Sequence, residues 1–182
     1  MVLSYLMAQL VPWSKDGNGN AGFLLVLASA NLAEGLRGYL TKYDCSAADL
    51  NPIGGINKTD LKAFLIYFGD KYNIPVLNEV AGAVPSAELR PQKKEEVQSD
   101  EVEMGMTYSE LDEYGKLRVM SRSGPLSMFE ALLVKWSNKK SKEGNTLTAA
   151  EIATKVKFFF RMYSINRHKM CVLPPSYHAQ RY

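Results

Sequence analysis

Three groups of residues in this chain have types and spacings that could do chemistry. The first lies at the end of the apolar run FLLVLAS (23–29), where Ser29, Asn31 and Glu34 follow one another closely. In open parallel sheets ligands bind beyond the carboxyl ends of strands, where loops and helix N-termini converge. Asn31 can cap a helix running to Gly38, and Glu34, one turn on, faces the same crevice. A carboxylate there either holds Mg²⁺ beside phosphates or only complements the helix dipole.

The second group is RGYLTKYDCSAADLNPIGGINK (37–58), which packs charge, a strand-like DLNPI and a Gly-Gly turn into 22 residues. Lys42 and Asp49 bracket a loop without hydrophobic period, and Lys58 opens a helix. A lysine in that place can reach a phosphate that the helix amides also attract; the other reading is a solvated surface lysine. The third group is NRHKM (166–170), with Arg167, His168 and Lys169 together after an aromatic helix. Phosphate binding, nucleic-acid contact, a general base at His168 and a plain basic helix cap all remain open. No Ser or Cys nucleophile stands in a recognisable arrangement with His168, which argues against a triad. Ser86, in VPSAEL, reads as a cap or turn residue.

The elements that must position these groups are partly legible. Residues 1–10 read as an apolar helix and 15–22 as a turn-rich loop. FLLVLAS shows no alternation, as a strand buried on both faces of a parallel sheet would. After Asn57 an apolar face recurs at Leu61, Phe64, Leu65 and Phe68. Residues 81–105 lose periodicity and carry charge and two prolines, which predicts a mobile loop of lid or linker length. Three helices follow, two announced by capping boxes, Thr107 with Glu110 and Thr148 with Glu151. Their stripes are Phe129, Leu132, Leu133 and Trp136, then Ile152, Val156, Phe159 and Tyr163, with a solvated loop at 138–145 between them.

Bulk properties exclude more than they assign. With 182 residues the chain fits one domain with a real core. A net charge of +3, with 46% hydrophobic and 23% charged residues, gives no sign of a nucleic-acid binder. Cys45 and Cys171 belong to no CxxC or Cys/His cluster, which leaves reduced thiols in a cytoplasmic setting as the simplest reading. The apolar runs at 1–13 and 23–30 are too short to span a bilayer, so no membrane association is expected.

The residues LLVLASANLAEGLRGYLTKYDCSAADLNPIGGINKTDLKAF, DEVEMGMTYSELDEYGKLR and FFFRMYSINRHKM, in that order, resemble the eukaryote-type glutamine-dependent NAD synthetases. The resemblance runs the length of the chain and covers the C-terminal part of their synthetase domain. It implies an α/β fold, a three-layer parallel-sheet domain of the ATP-pyrophosphatase (adenine nucleotide alpha hydrolase-like) kind, with a helix-rich C-terminal half. It also implies ATP-dependent amidation of deamido-NAD (nicotinic acid adenine dinucleotide) through an adenylated intermediate. ATP is then the co-substrate and Mg²⁺ the cofactor, with ammonia drawn from glutamine and a homo-oligomeric assembly. Carried over residue by residue, Ser29, Lys58 and Ser86 match ATP-site positions, and Glu34 matches a Mg²⁺-binding glutamate. Lys42, Asp49, His168 and Lys169 match positions that hold deamido-NAD. Serine replaces the family threonine at Ser29 and Ser86 and keeps the hydroxyl. DCSA at 44–47 replaces a glycine-rich GDGG of shorter bacterial relatives, so the turn there is less defined by the resemblance.

The family's SGGxDS loop does not occur in these 182 residues, nor does a glutaminase domain. Residues 1–182 are therefore expected to be an N-terminally incomplete synthetase domain. Its alternative reading is a truncated, catalytically inactive fragment that binds nucleotide weakly or binds a partner subunit.

Overall fold

The computed structural model describes residues 1–16, 22–86, 99–140 and 146–178. Helices dominate: α1 (Val2–Asp16), α2 (Leu32–Arg37), α3 (Lys58–Tyr72), α4 (Val76–Gly82), α5 (Asp100–Met104), α6 (Tyr108–Gly115), α7 (Pro125–Lys135) and α8 (Ala149–Ile165). Short 3₁₀ turns occupy Cys45–Ala47 and Arg167–Val172, and a π turn, Lys116–Met120, continues α6.

The helix starts follow from their capping chemistry. Asn31, Thr107 and Thr148 each accept from the backbone at N3, and Glu34, Glu110 and Glu151 each reach back to the cap. Asn57 caps α3 by accepting from the Asp60 N–H. α1 runs to Asp16, beyond the expected end near residue 10, and passes through Pro12. Proline has no N–H, so the Ala8 carbonyl four residues back loses its helical donor. The Leu24 N–H takes that place at 2.9 Å and ties the extended segment to α1.

The core lies where α6, α7 and α8 meet α2. Met104, Leu111, Tyr114, Met128, Leu132 and Phe159 are fully enclosed there. Tyr114 stacks on Phe159 with centroids 4.6 Å apart and meets Trp136 edge-on at 5.7 Å, the geometries aromatic quadrupoles favour. The stripes expected on α7 and α8 supply Leu132, Trp136, Ile152, Val156 and Phe159 to this core, while Leu133 faces outward. α3 packs mainly on α4 and leaves Phe64 half exposed.

The parallel sheet is the main departure from expectation. Among the described residues no regular strand forms. Parallel bridges instead pair Leu27 with Leu50 and Asn51 with Ser176, with Ala28 N–H donating to Leu50 O at 2.8 Å and Asn51 N–H to Pro175 O at 2.9 Å. Three extended segments thus lie side by side in a parallel sense. Phe23, Leu25 and Leu27, expected to be buried on both faces, are 72%, 63% and 59% exposed. An unalternating apolar run specifies a segment that tolerates burial on both faces; what covers those faces is a tertiary property outside the run itself.

Of the span 81–105 expected as one loop, residues 87–98 lie outside the described residues, and both ends are helical. α4 reaches Gly82, and Asp100–Met104 forms α5. α5 has no amphipathic stripe to announce it. Its order comes from burying Met104 and from the Arg37 guanidinium, which donates to the Met104 carbonyl at 3.3 Å.

Candidate functional site

α2 is the hub of the site. Its cap, Asn31, is buried; the Asn31 side chain accepts from the N–H groups of Ala33 and Glu34, and its amide donates to Glu34 Oε1 at 2.5 Å. Glu34 therefore closes a capping box, and the two readings of this residue are compatible, because each carboxylate oxygen has further lone pairs. Burial pushes its carboxyl up to about 7, against the Lys58 ammonium and the Asn31 N–H, while Asp100 and Asp44 push the same way as burial. Glu34, Lys58 and Asp100 thus form one electrostatic group assembled from the N-terminal turns of α2, α3 and α5.

Lys58 is half-buried rather than solvated. Its Nζ lies 5.6 Å from the Tyr108 ring centroid, a cation–π distance. Lys58, Lys62, Thr59, Pro85, Glu101 and Tyr108 line a cavity of about 450 Å³. The segment through Pro85 leads directly to Ser86, which is exposed. A larger cavity of about 710 Å³ shares Ser99 and Glu101 and reaches Glu110, Lys139 and Lys155. It contains none of the candidate ATP-, substrate- or metal-binding residues read from the sequence, and its Thr107, Glu110 and Glu151 serve capping boxes, so chemistry favours the smaller one.

The Tyr108 hydroxyl donates to Asp100 Oδ2 at 2.9 Å, and both residues are buried. Burial, Asp100 and Glu34 all raise the Tyr108 hydroxyl well above the ordinary tyrosine range, so it stays a donor. Asp100 Oδ1 is buried without a hydrogen-bond partner. A buried oxygen left unsatisfied is unusual and calls for an explanation. Sequence reasoning missed Asp100 and Tyr108, although both lie in or beside DEVEMGMTYSELDEYGKLR; nothing local marked a five-residue helix there.

The remaining predicted residues are placed differently. Ser29 is exposed after the extended segment. The Asp49 carboxylate accepts from the Tyr5 hydroxyl at 3.0 Å and the Val26 N–H at 2.9 Å, which joins α1 to the extended segment. Lys42 sits half-buried in the turn after α2. The Lys169 ammonium donates to the Gly38 carbonyl at 2.9 Å, and Asn166 Nδ2 to the Arg37 carbonyl at 3.2 Å, so the third group caps the C-terminus of α2. Burial, with Arg37 nearby, lowers the Lys169 ammonium against the opposing pull of Asp44. His168 is exposed, with Nδ1 3.0 Å from Ile165 O. A carbonyl only accepts, so Nδ1 carries the proton in that contact and Nε2 is left for another partner.

Gly38 makes the α2 docking possible. Its φ is +71°, and a Cβ built on it would fall 2.3 Å from Asn166 Cβ. Gly38→Ala combines left-handed strain of about 1–3 kcal/mol with a clash that pushes residues 166–169 away. The expected result is a urea midpoint lowered accordingly, and a chain whose Lys169 no longer caps α2.

These arrangements, helices around short parallel-bridged segments with acidic and basic groups at the helix starts, define a helix-rich α/β protein. Residues 18–173 match the NAD synthase family, and the chain belongs to it. It is 59% identical to the glutamine-dependent NAD(+) synthetase of Saccharomyces cerevisiae, 53% to that of Arabidopsis thaliana and 51% to that of Mus musculus. Each alignment takes in 100% of this chain and 24% of the relative; the chain thus spans about a quarter of the length of the relatives it matches. The fold is similar to that of part of a glutamine-dependent NAD(+) synthetase from Cytophaga hutchinsonii, with a TM-score of 0.60 and 24% identity over 97% of this chain and 24% of that one.

Proposed function

We propose that this chain serves the ATP-dependent amidation of deamido-NAD to NAD. In that reaction the substrate carboxylate attacks the α-phosphate of ATP, pyrophosphate leaves, and ammonia displaces AMP from the adenylate. Such transfers depend on positioning and charge neutralisation more than on covalent help from the protein. The observation that carries the proposal is Lys58 at the start of α3, on the wall of a cavity of about 450 Å³ and near enough to the Glu34 carboxylate at the start of α2 to draw its proton affinity down, in a member of this family.

Lys58 would neutralise phosphate oxygens at the start of α3, and Ser29 and Ser86 would donate hydroxyl bonds to the nucleotide. Lys42, Asp49, His168 and Lys169 would hold deamido-NAD. Of these, His168 offers a free Nε2, whereas Lys169 would have to share its ammonium with the Gly38 carbonyl. Mg²⁺ would be held by Glu34, and when bound it would neutralise phosphate charge. A carboxylate that keeps lone pairs beyond the bonds it accepts from Asn31 suits a hard cation of that kind. Among the described residues no cluster of three metal-ligating side chains forms, and Mg²⁺ commonly takes only one or two carboxylates, completing its shell with water and phosphate.

A cytoplasmic setting, a homo-oligomeric assembly and glutamine-derived ammonia belong to the same proposal on the strength of the family. Among the described residues no helix is long and apolar enough to cross a membrane. The test is pyrophosphate release from ATP with deamido-NAD and ammonia, comparing this chain with one extended N-terminally through an SGGxDS loop. Turnover is expected in the extended form and is expected to fall at least a hundredfold with Lys58→Ala or Glu34→Ala, the scale of losing one preorganised electrostatic group. Full activity in both variants would remove the assignment.

A further inference from the structure

The larger cavity, of about 710 Å³ between α5 and the starts of α6 and α8, has no part in the proposed reaction. Its size lies within the range of small-molecule sites, about 300–1,000 Å³. Met106 and Leu147, both buried, and Ala150 give it apolar wall, and Glu110, Lys139 and Lys155 gather charge at one place on it.

The charges at that place do not cancel. Lys155 Nζ lies 3.0 Å and Lys139 Nζ 3.5 Å from the same oxygen, Glu110 Oε1, so two ammoniums share one buried carboxylate. The other carboxylates on the wall are occupied. Glu101 Oε1 accepts from the Tyr108 N–H at 2.8 Å, and Glu151 Oε2 from the Thr148 N–H and hydroxyl, both at 2.7 Å. Each thereby answers the partial positive charge of a helix start, that of α6 and that of α8. Of the two, Glu151 also feels Lys155, as the smallest of the influences on it.

An ammonium carries three N–H donors, and among the described residues the one acceptor that Lys139 or Lys155 meets is Glu110 Oε1. Lys139 is also set in place. Its Nζ lies 4.1 Å from the Trp136 ring centroid, a cation–π distance. Its N–H donates to Trp136 O, and its carbonyl accepts from the Leu147 N–H, both at 2.9 Å. A side chain already held in this way loses little freedom on meeting a ligand.

We propose that this cavity is a second ligand site, for a small organic anion with one carboxylate or phosphate head on an apolar body. The head would take unspent N–H donors of Lys139 and Lys155, and the body would lie on Met106, Leu147 and Ala150. Ser99 and Glu101 wall this cavity and the smaller one alike, so α5 and its lead-in form the partition between this anion and the nucleotide proposed at Lys58.

The experiment is a ligand-observed NMR titration of the full chain with benzoate, phenyl phosphate and the neutral benzamide. Wild type, Lys139→Gln, Lys155→Gln, Ala150→Trp and Lys58→Ala are compared, with far-UV circular dichroism as the check of fold. At least one anion is expected to bind wild type about tenfold or more tightly than benzamide, and the tighter of the two names the head group. Lys139→Gln and Lys155→Gln are each expected to weaken that binding about tenfold, the scale of one hydrogen bond to a charged group. Ala150→Trp fills the cavity without touching its charge and is expected to abolish binding, while Lys58→Ala binds as wild type does. No anion binding by wild type, or benzamide binding as tight as that of both anions, overturns the proposal. Anion binding that survives Lys139→Gln, Lys155→Gln and Ala150→Trp overturns it as well, since the anion then sits elsewhere. If that surviving binding is lost in Lys58→Ala, the anion is in the smaller cavity, and the reading of Lys58 stands while this one fails. Should a lysine variant lose its helical signal because Glu110 loses a partner, Ala150→Trp and the benzamide comparison decide, and unchanged anion binding by Ala150→Trp overturns the site.

Discussion

Phe159→Ala is expected to remove about 3–5 kcal/mol of folding free energy, a large part of the 5–15 kcal/mol that holds a typical domain together. The ring is completely enclosed. It stacks on Tyr114 at 4.6 Å, meets Phe160 edge-on at 5.3 Å and lies 5.7 Å from Tyr163. Truncation removes the transfer free energy of the ring and leaves a cavity among aromatic neighbours. Tyr114 and Trp136 are themselves wedged between α6 and α7 and cannot collapse into the space without moving both helices. The loss should appear as a lowered urea midpoint with an unchanged slope, because the surface exposed on unfolding is nearly the same. Lys157→Ala, exposed on the opposite side of α8, is the matched control and should stay within about 0.5 kcal/mol of wild type. A Phe159 variant as stable as that control would mean that α8 is not what the core is built on.

That core is also the part of the molecule that local sequence describes best. Phe159 belongs to a stripe spaced for one face of a helix, and Thr148 with Glu151 marks where the helix starts; both signals act within a few residues. The same holds for Asn31 and Glu34, whose capping box can be read directly from their spacing. The extended segment at 23–29 is legible as extended, because an apolar run of that length bounded by turn residues suits no other conformation as well. Its exposure is not legible, because burial depends on what lies across from it. Asp100 was hidden for a related reason. DEVEM carries three acidic residues and no stripe, so only the Arg37 contact to Met104 and the burial of Met104 reveal that it is helical. The charged group at α2, α3 and α5 is therefore half local and half tertiary: Glu34 and Lys58 stand at helix starts that the sequence announces, and Asp100 joins them through packing alone. Lys169 shows the opposite case. Its cationic neighbourhood is plain in NRHKM, but which helix it caps depends on Gly38 coming within reach from the other end of the chain.

Glu110 provides the second large effect, and here its size depends on pH. The carboxylate is almost fully buried, yet it accepts from the Lys155 ammonium at 3.0 Å, lies 3.5 Å from Lys139 and closes the capping box on Thr107. Burial by itself would raise its carboxyl; Lys155, the Thr107 N–H and Lys139 together outweigh burial and hold it below the ordinary glutamate range. A carboxyl depressed in the folded state contributes stability that is fully present above its unfolded value and is lost as pH falls through its folded value. Wild type should therefore be steady from about pH 7 to 5 on account of this group and lose its contribution below the ordinary glutamate value of about 4.3. Glu110→Gln retains the shape and the cap but removes the charge, and is expected to cost about 1–2 kcal/mol at pH 7. That is less than the 3–5 kcal/mol of a fully buried broken pair, because the side chains of Lys139 and Lys155 are 32% and 36% exposed and can turn to water. Measured by urea midpoint, the gap between wild type and Glu110→Gln should close as pH is lowered toward 3. Glu110→Ala adds the loss of the capping box, about 1 kcal/mol more, and that increment should not vary with pH. A gap between wild type and Glu110→Gln that is the same at pH 7 and pH 3 would show that the lysines contribute nothing through charge. The carboxylate would then matter to α6 only as a cap.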